Sequence, residues 1–520
     1  MTKAERFQQL TSTTEIQTDL RTKSIQAATF TWTAGAADFI LRFGSTAILA
    51  RLVLPEHFGL VMMVTAFTSI ADQFRDLGLS TVTVQRKEIT YHEVSNLFWI
   101  NVASGLLIAL VVSAASPLLA EYYKEPRLIA PTCLLATNFV WGGLMVQHQA
   151  LLTRRLKLGS TSSIRVLSSV ISTIVAVTLA WKGFGYWALV WREFVRCALL
   201  TIGMWVAFPW MPGLPSRKTN VWALVTFGAD LSLANIVASI SGTFDRVLLG
   251  RFWGPSPTAL YRQAYQLLVL PTEQLVSPVY QVAQPGLSML QADLPRFRTF
   301  YKKVLTIACV AAMPLSLFVA VYSAEITRVV LGRRWAGSAP LLLILSLSNF
   351  IKQPVGSTAF VLIAQGRSRT YLMLTLLQNF AAVVFMFIGV HWGTIGVAYA
   401  EVATTYLLIA PRVYYTFRAS PLAVGSFFAM IARPMIASVV MAAVQLVLRQ
   451  SLPAIGAPAV LAIGTGTAAV VFPAVWMLLP GGSGEVFALI ADVRTVVTEK
   501  KAPSRATGGP VTVASQAVRL

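Results

Sequence analysis

The chain has 520 residues, 56% of them hydrophobic and 12% charged, and its 42 Lys and Arg against 21 Asp and Glu give a formal charge of +21. Soluble domains carry about 25% charged residues, so a chain with half that share and a mean hydropathy of +0.66 is excluded from water-soluble enzymes. Nucleic-acid binders are excluded with them, because no basic soluble domain is left to hold a duplex. Apolar runs of about 18 residues or more recur along the length, enough to cross a hydrocarbon core about 30 Å thick. A transmembrane barrel would instead alternate in segments of about ten residues. The expected fold class is therefore an all-α polytopic membrane protein.

In chain order, residues 1–23 are polar, lack the apolar core of a signal peptide, and read as a cytoplasmic tail. Spans predicted at 24–50, 57–75, 95–120, 128–152, 160–181 and 184–208 make a six-helix bundle over 24–215, closed by the proline-rich "FPWMPGLPSRKTN" at 208–220. Spans at 222–250, 259–285, 302–324, 338–365, 370–391 and 394–417 make a second bundle over 216–420. Two additional helices, 426–448 and 455–480, occupy 421–480, for about 14 transmembrane helices. Residues 481–520 read as a second, partly disordered cytoplasmic tail, with a short interfacial helix at 486–497. Placing the amino terminus inside puts twenty-five Lys and Arg in inner segments and nine in outer loops, the bias that sets orientation. Both termini are thus expected in the cytoplasm, with the surplus charge drawn to anionic membrane lipids.

Two echoes suggest an internal repeat. "ILARLVLPEHFGL" (48–60) and "LLGRFWGPSPTAL" (248–260) share Leu-x-Arg followed by a proline four residues later, and they lie six predicted spans apart. "RRLKLGS" (154–160) and "GRSRTYL" (366–372) each precede a hairpin, turning at 183–185 and 393–396. Two six-helix halves related by a pseudo-two-fold along the membrane normal is a transporter plan.

The chemistry available is narrow. No G-x-x-x-x-G-K-[ST] occurs, so nucleotide hydrolysis within the chain is not expected. His57, His92, His148 and His391 are scattered, and Cys133, Cys197 and Cys309 lie singly in different spans. Neither a metal site nor a disulfide framework is readable, and no catalytic residue is assigned.

The informative residues are charges deep in spans. Arg42, Arg192, Arg196 and Lys352 are the deep cations, and an unpaired charge at mid-bilayer costs at least about 2.5–3.5 kcal/mol. Such groups face a water-filled cavity or a partner. Asp38, Glu193, Asp230, Glu273 and Glu401 are the acids available for pairing or for coupling to an ion. Asp38 and Arg42, four residues apart, can pair on one helix. Arg192 and Arg196 share a face and need an anion or buried carboxylates between them. Arg165, Arg246, Arg262 and Arg433 lie nearer span ends, where long cationic side chains reach the headgroups. In "YQLLVLPTEQLVSPVYQVAQPGL", Pro271, Pro278 and Pro285 recur every seven residues. Each removes a backbone hydrogen bond, so they are candidates for static kinks or for hinges.

"FRDLGLSTVTVQRKE" (74–88), "LFWINVASGLL" (97–107), "VQHQALLTRRLKLGS" (146–160) and "DRVLLGRFWGPSPTALYRQAYQLLVLP" (245–271) resemble the bacterial polysaccharide flippases of the Wzx type, especially the WzxC-like branch. The resemblance covers roughly residues 25–420 and contains no catalytic signature. It implies the multidrug/oligosaccharidyl-lipid/polysaccharide exporter (MOP, MATE-like) fold and a flippase in the bacterial cytoplasmic membrane. The implied substrate is an undecaprenyl-pyrophosphate-linked oligosaccharide, moved during exopolysaccharide or lipopolysaccharide O-antigen biosynthesis. Partners would be that lipid-linked oligosaccharide, membrane lipids, and the polymerase and glycosyltransferases of the same pathway. No cofactor is implied beyond H⁺ or Na⁺ coupling. On this expectation the deep cations neutralise the pyrophosphate, and Trp141, Trp187, Trp191 and Tyr399 are candidates for stacking on sugars. The alternatives weighed are a lipid II flippase, a MATE-type cation or drug antiporter, and a membrane-embedded polymerase or ligase. A cation antiporter needs a predominantly acidic site. A polymerase needs a large outer loop, and the longest here, about 325–337, is small.

Overall fold

A computed structural model describes residues 20–76, 78–86, 89–216, 242–418, 420, 422–451 and 455–486, with side chains described from Thr33 onward, Ala34 excepted. Every regular element among them is helical, as the composition requires. Seven of the described stretches are long and apolar enough to cross a membrane by length and composition, and the chain is a multi-pass membrane protein. The chain divides into two compact units, Met1–Leu260 and Tyr261–Leu520.

In the first unit, α1 (Leu20–Leu52), α2 (Pro55–Asp76), α3 (Leu79–Gln85), α4 (Tyr91–Ala114), α5 (Ser116–Tyr123), α6 (Ile129–Arg154), α7 (Leu158–Trp181), α8 (Tyr186–Ala207) and α9 (Phe244–Trp253) follow one another. The predicted span 95–120 is broken at Ala115 into α4 and α5. The start of α4 is fixed by a capping box. The Thr90 side chain accepts from the Glu93 backbone N–H, and the Glu93 carboxylate accepts from the Thr90 N–H at 2.8 Å. Apolar burial cannot drive helix association inside lipid, so close backbone approach and interhelical hydrogen bonds must do it. Accordingly α4 packs on α6 through glycines. A side chain at Gly105 would collide with the Phe139 carbonyl, and one at Gly143 would meet the Asn101 carbonyl. Thr83 donates to the Gln147 side chain at 2.8 Å in the same core.

The second unit contains most of α10 (Pro255–Met289), then α11 (Leu294–Val321), α12 (Ser323–Val330), α13 (Ser338–Gly356), α14 (Thr358–Ala364), α15 (Ser368–Gly389), α16 (Gly393–Leu407), α17 (Ile409–Phe417), α18 (Val424–Ser451) and α19 (Ala457–Leu478). Its centre is polar as well as apolar: buried Asn349 donates to Thr272 (3.1 Å) and Ser316 (2.8 Å), joining α13 to α10 and α11. An apolar cluster of the same unit includes Tyr301, Phe350, Phe417 and Phe427. The predicted span 338–365 is interrupted at Ser357, and 394–417 at Leu408. After α19, Glu485 binds Lys302 of α11 at 2.9 Å and Arg433 of α18 at 2.6 Å. Arg433 therefore has a carboxylate partner instead of reaching only to headgroups. Of the predicted interfacial helix 486–497, all but Val486 lies outside the described residues.

Both sequence echoes correspond to shared local geometry. Pro55 and Pro255 each open a helix, at the position where the missing N–H is harmless, directly after a helix ending at Leu52 or Trp253. The two breaks meet inside the first unit, where a side chain at Gly59 would strike the Pro255 carbonyl. In the second echo, Leu156 and Gly366 take left-handed φ values of 55° and 69°. The following N–H groups, of Lys157 and Arg367, return to the Leu152 and Leu362 carbonyls at 3.0 and 2.9 Å. The same C-terminal turn precedes the α7/α8 and α15/α16 hairpins. Each hairpin turns at a positive-φ glycine, Gly183 and Gly393.

Two outcomes follow. Gly143→Leu should lower the thermal unfolding midpoint of the detergent-purified chain, since overpacking costs about 1–3 kcal/mol, whereas Gly466→Leu, facing open space, should leave it unchanged. Burial works to raise the Glu485 pKa, but the hydrogen bonds from Lys302 and Arg433 outweigh it and hold the carboxyl below its usual range. A depressed folded pKa stabilises above the unfolded value of about 4.3, and that stability is lost as pH falls through the folded value. Glu485→Gln should therefore lower the midpoint at pH 7, and the difference from the native chain should shrink as the pH drops below about 4.

Candidate functional site

The helices expected to cross the bilayer but absent from the seven apolar stretches are informative. They include α1, α2, α8, α10 and α13, which carry Asp38 and Arg42, Asp72 and Arg75, Arg192 to Arg196, Glu273 and Lys352. The charges are concentrated on a subset of helices, and within each unit they gather into a cluster.

In the first unit, Arg42 binds Asp38 at 2.8 Å, one turn along α1. Asp38 also accepts from Ser169 of α7 at 3.2 Å. On α8, Arg196 binds Glu193 at 2.7 Å, and the Glu193 carboxylate lies in the combined field of Arg196, Arg192 and Arg42. Part of the carboxylate demanded by the adjacent arginines thus comes from the same helix. Arg192 differs from its neighbours. It donates to the Ser45 hydroxyl at 2.9 Å, its Nε is buried without a partner, and no carboxylate lies within 4.0 Å of it among the described residues.

The second cluster combines Lys352 of α13, Glu401 of α16 and the start of α10. Lys352 Nζ is 2.7 Å from the Glu401 carboxylate and lies over the Tyr265 ring at 5.8 Å, with the Arg262 guanidinium over that ring at 5.0 Å. Glu273, exposed on α10, lies in the field of Lys352 and Arg262. Asp230 lies outside the described residues. α10 runs as one continuous helix through Pro271, Pro278 and Pro285.

One ion pair in each cluster shares an asymmetry. The Arg42 side chain is 51% exposed against 15% for Asp38, and Lys352 is 36% exposed against 13% for Glu401. In these two pairs the acid is the more enclosed partner, whereas Arg196 and Glu193 are nearly equal, at 36% and 31%, and Arg75 with Asp72 is reversed, at 17% and 46%. A carboxylate held inside makes a cation tolerable in a low-dielectric span, while the projecting head keeps donors for an outside anion.

Several members of the site are missed by reading depth in the sequence. Arg75, which counts as an inner-loop cation by position, lies in α2 paired with Asp72 at 3.3 Å. Its guanidinium rests on Gly142, where any side chain would displace it. Arg262 stacks on Tyr265 instead of reaching only to headgroups; the i, i+3 spacing that permits this is readable. Ser45 and Ser169 carry no sequence signal beyond being hydroxyls in spans. Among the aromatics, Trp141 and Trp191 pack edge-on against Phe194 and Trp187 stacks on Tyr186. Tyr399 is more than half exposed.

A family model described as "Polysaccharide biosynthesis protein" matches residues 48–340. The chain belongs to that family. Its relatives include the lipopolysaccharide biosynthesis protein WzxC of Escherichia coli (strain K12), 26% identical over 393 residues covering 73% of this chain and 77% of that protein. The succinoglycan biosynthesis transport protein ExoT of Rhizobium meliloti (strain 1021) is 26% identical over 464 residues, covering 86% and 92%. Among solved structures, the lipid II flippase MurJ in an inward closed conformation superposes with a TM-score of 0.71 at 11% identity, covering 87% of this chain and 98% of that one. That likeness shows the fold. The resemblance to the WzxC-like branch seen in the sequence agrees with this family and with the similarity to WzxC.

Because the Glu401 carboxylate is enclosed, Lys352→Met strands it, and removing both partners is milder. Lys352→Met should lower the thermal midpoint by the equivalent of about 1–3 kcal/mol, a span discounted for the partly exposed ammonium. The double variant Lys352→Met/Glu401→Met should recover most of the loss.

Proposed function

We propose that the chain is a flippase that carries undecaprenyl-pyrophosphate-linked oligosaccharide repeat units from the inner to the outer leaflet of the cytoplasmic membrane, for exopolysaccharide or O-antigen assembly. The proposal includes 14 spans in two six-helix bundles plus two C-terminal helices, with both termini in the cytoplasm. The observation that carries it is the gathering of deep cations around carboxylates within each unit, with Arg42 and Lys352 more exposed than the acids that hold them. A pyrophosphate and its sugars cannot cross hydrocarbon unaided, whereas the polyprenyl tail can remain in lipid throughout. Arg42, Arg192 and Arg196 neutralise the pyrophosphate in the first unit, and Lys352 plays the same part in the second. Arg192 is best suited to the task, because among the described residues no carboxylate within 4.0 Å has to be surrendered before it binds an anion.

The names of the relatives, biosynthesis and transport proteins for lipopolysaccharide and succinoglycan, support a polysaccharide precursor over a drug cation. Cations at least equal to the acids in the first cluster support the same choice. Asp38, Glu273 and Glu401 are the groups able to take up H⁺ or Na⁺ during the cycle, and Glu401 does so by exchanging its bond to Lys352. No step makes or breaks a covalent bond, and the polymerase and glycosyltransferases of the pathway act before and after translocation.

Charge reversal at Arg192→Glu/Arg196→Glu should abolish polymer export, measured as cell-surface polysaccharide in a deletion strain, while membrane insertion is unchanged. Export at the native level by that variant contradicts the reading.

A further inference from the structure

The charged clusters account for the anionic end of such a substrate and leave its neutral sugars without a recognised surface. α10 carries a second pattern suited to them. Gln274, Ser277, Gln281, Gln284 and Ser288 recur at intervals of three, four, three and four residues, which places them on one helical face, and all five are exposed. Glu273 is exposed beside them. Gln274, Ser277 and Gln281 lie within the expected span 259–285, with Gln284 and Ser288 at its inner end, and polar groups on a membrane helix are unfavourable against acyl chains, so this face meets water or a polar ligand. The amides of Gln274 and Gln284 make no side-chain hydrogen bond among the described residues; Gln281 reaches only the Ser277 hydroxyl, at 3.3 Å.

The prolines add backbone acceptors to the same face. Proline lacks an N–H, so the carbonyl four residues before it loses its α-helical donor. Pro278 and Pro285 therefore free the carbonyls of Gln274 and Gln281, the residues whose side chains form the stripe. Pro271 frees that of Leu267, whose side chain is buried. The seven-residue recurrence of proline places both of these carbonyls, deprived of their α-helical donor, at glutamine positions of the stripe. Carboxamides offer both donors and acceptors, bare carbonyls offer acceptors, and the stripe from Gln274 to Ser288 is uncharged. Sugar hydroxyls, each a donor and an acceptor, are the complementary chemistry.

We propose that this glutamine and carbonyl ladder on α10 is the surface that binds the oligosaccharide part of the substrate. The inference rests on the flippase reading and assigns that reading's sugar contacts. Pro278 and Pro285 thereby act as makers of binding groups. The ladder recognises hydroxyl-rich chains through shared polar chemistry, and the cations stay free for the pyrophosphate.

The test measures equilibrium binding of two lipids to the purified full-length chain in detergent. One is bare undecaprenyl pyrophosphate. The other is the glycolipid extracted from a deletion strain lacking this chain, in which the untransported substrate accumulates. The native chain should bind the glycolipid more tightly than the bare lipid. Gln274→Leu/Gln281→Leu/Gln284→Leu should weaken glycolipid binding roughly ten-fold, as expected for losing a few hydrogen bonds, and leave bare-lipid binding unchanged. Retained bare-lipid binding also reports that the variant is folded. Unchanged glycolipid binding in the variant, or equal loss of both lipids, overturns the ladder. Equal native binding of the two lipids overturns the ladder and leaves the flippase reading standing, whereas native binding of neither lipid defeats both.

Discussion

A charged side chain inside a bilayer has few tolerable arrangements, and the organisation of this protein follows from that constraint. An isolated cation at mid-span costs several kcal/mol, and burying both partners of an ion pair completely offers little net return. The pairs of Arg42 with Asp38 and Lys352 with Glu401 take an intermediate course, with the acid enclosed and the base reaching outward. Such a pair persists in a membrane and still presents positive charge to an anion. Charged residues lower the apolar character of α1, α8, α10 and α13, which fall outside the strongly apolar set, whereas α16, which carries Glu401, stays within it.

The two units use this device differently. The first concentrates arginine, with Arg42, Arg192 and Arg196 around Asp38 and Glu193, and leaves Arg192 held by a serine hydroxyl. The second balances Lys352 against Glu401 and spreads the remaining charge over the Tyr265 ring, beside the uncharged ladder of α10. The scaffold beneath is held by close approach and polar bonding: glycine contacts between α4 and α6, and the Asn349 network between α10, α11 and α13.

Much of this was legible in the sequence because membrane physics writes it there. Helices, hairpins and the positions of Arg42, Arg192, Arg196 and Lys352 follow from hydropathy and depth. The pairing of Asp38 with Arg42 follows from four-residue spacing, and the matching turns at Leu156 and Gly366 were flagged by their echo. Partnerships across helices were not legible. Glu401 lies 49 residues from Lys352 and Ser45 lies 147 from Arg192, and no local pattern announces either. Arg75 was hidden for a related reason. It stands at the end of an apolar run, where hydropathy assigns a loop, and only the glycine opposite it on α6 makes room for its guanidinium. The α10 stripe shows an intermediate case: its spacing is plain in the sequence, but its exposure needs the fold.

The central claim is that the projecting cations contact water within the membrane-spanning part of the protein. Single cysteines at Arg42 and Lys352, placed in a chain whose Cys133, Cys197 and Cys309 have been replaced, test it directly in proteoliposomes with a membrane-impermeant maleimide. Both positions should be labelled from the aqueous phase, and an undecaprenyl-pyrophosphate-linked glycolipid should protect them. Labelling only by a lipid-soluble reagent would place these side chains against acyl chains and contradict the account.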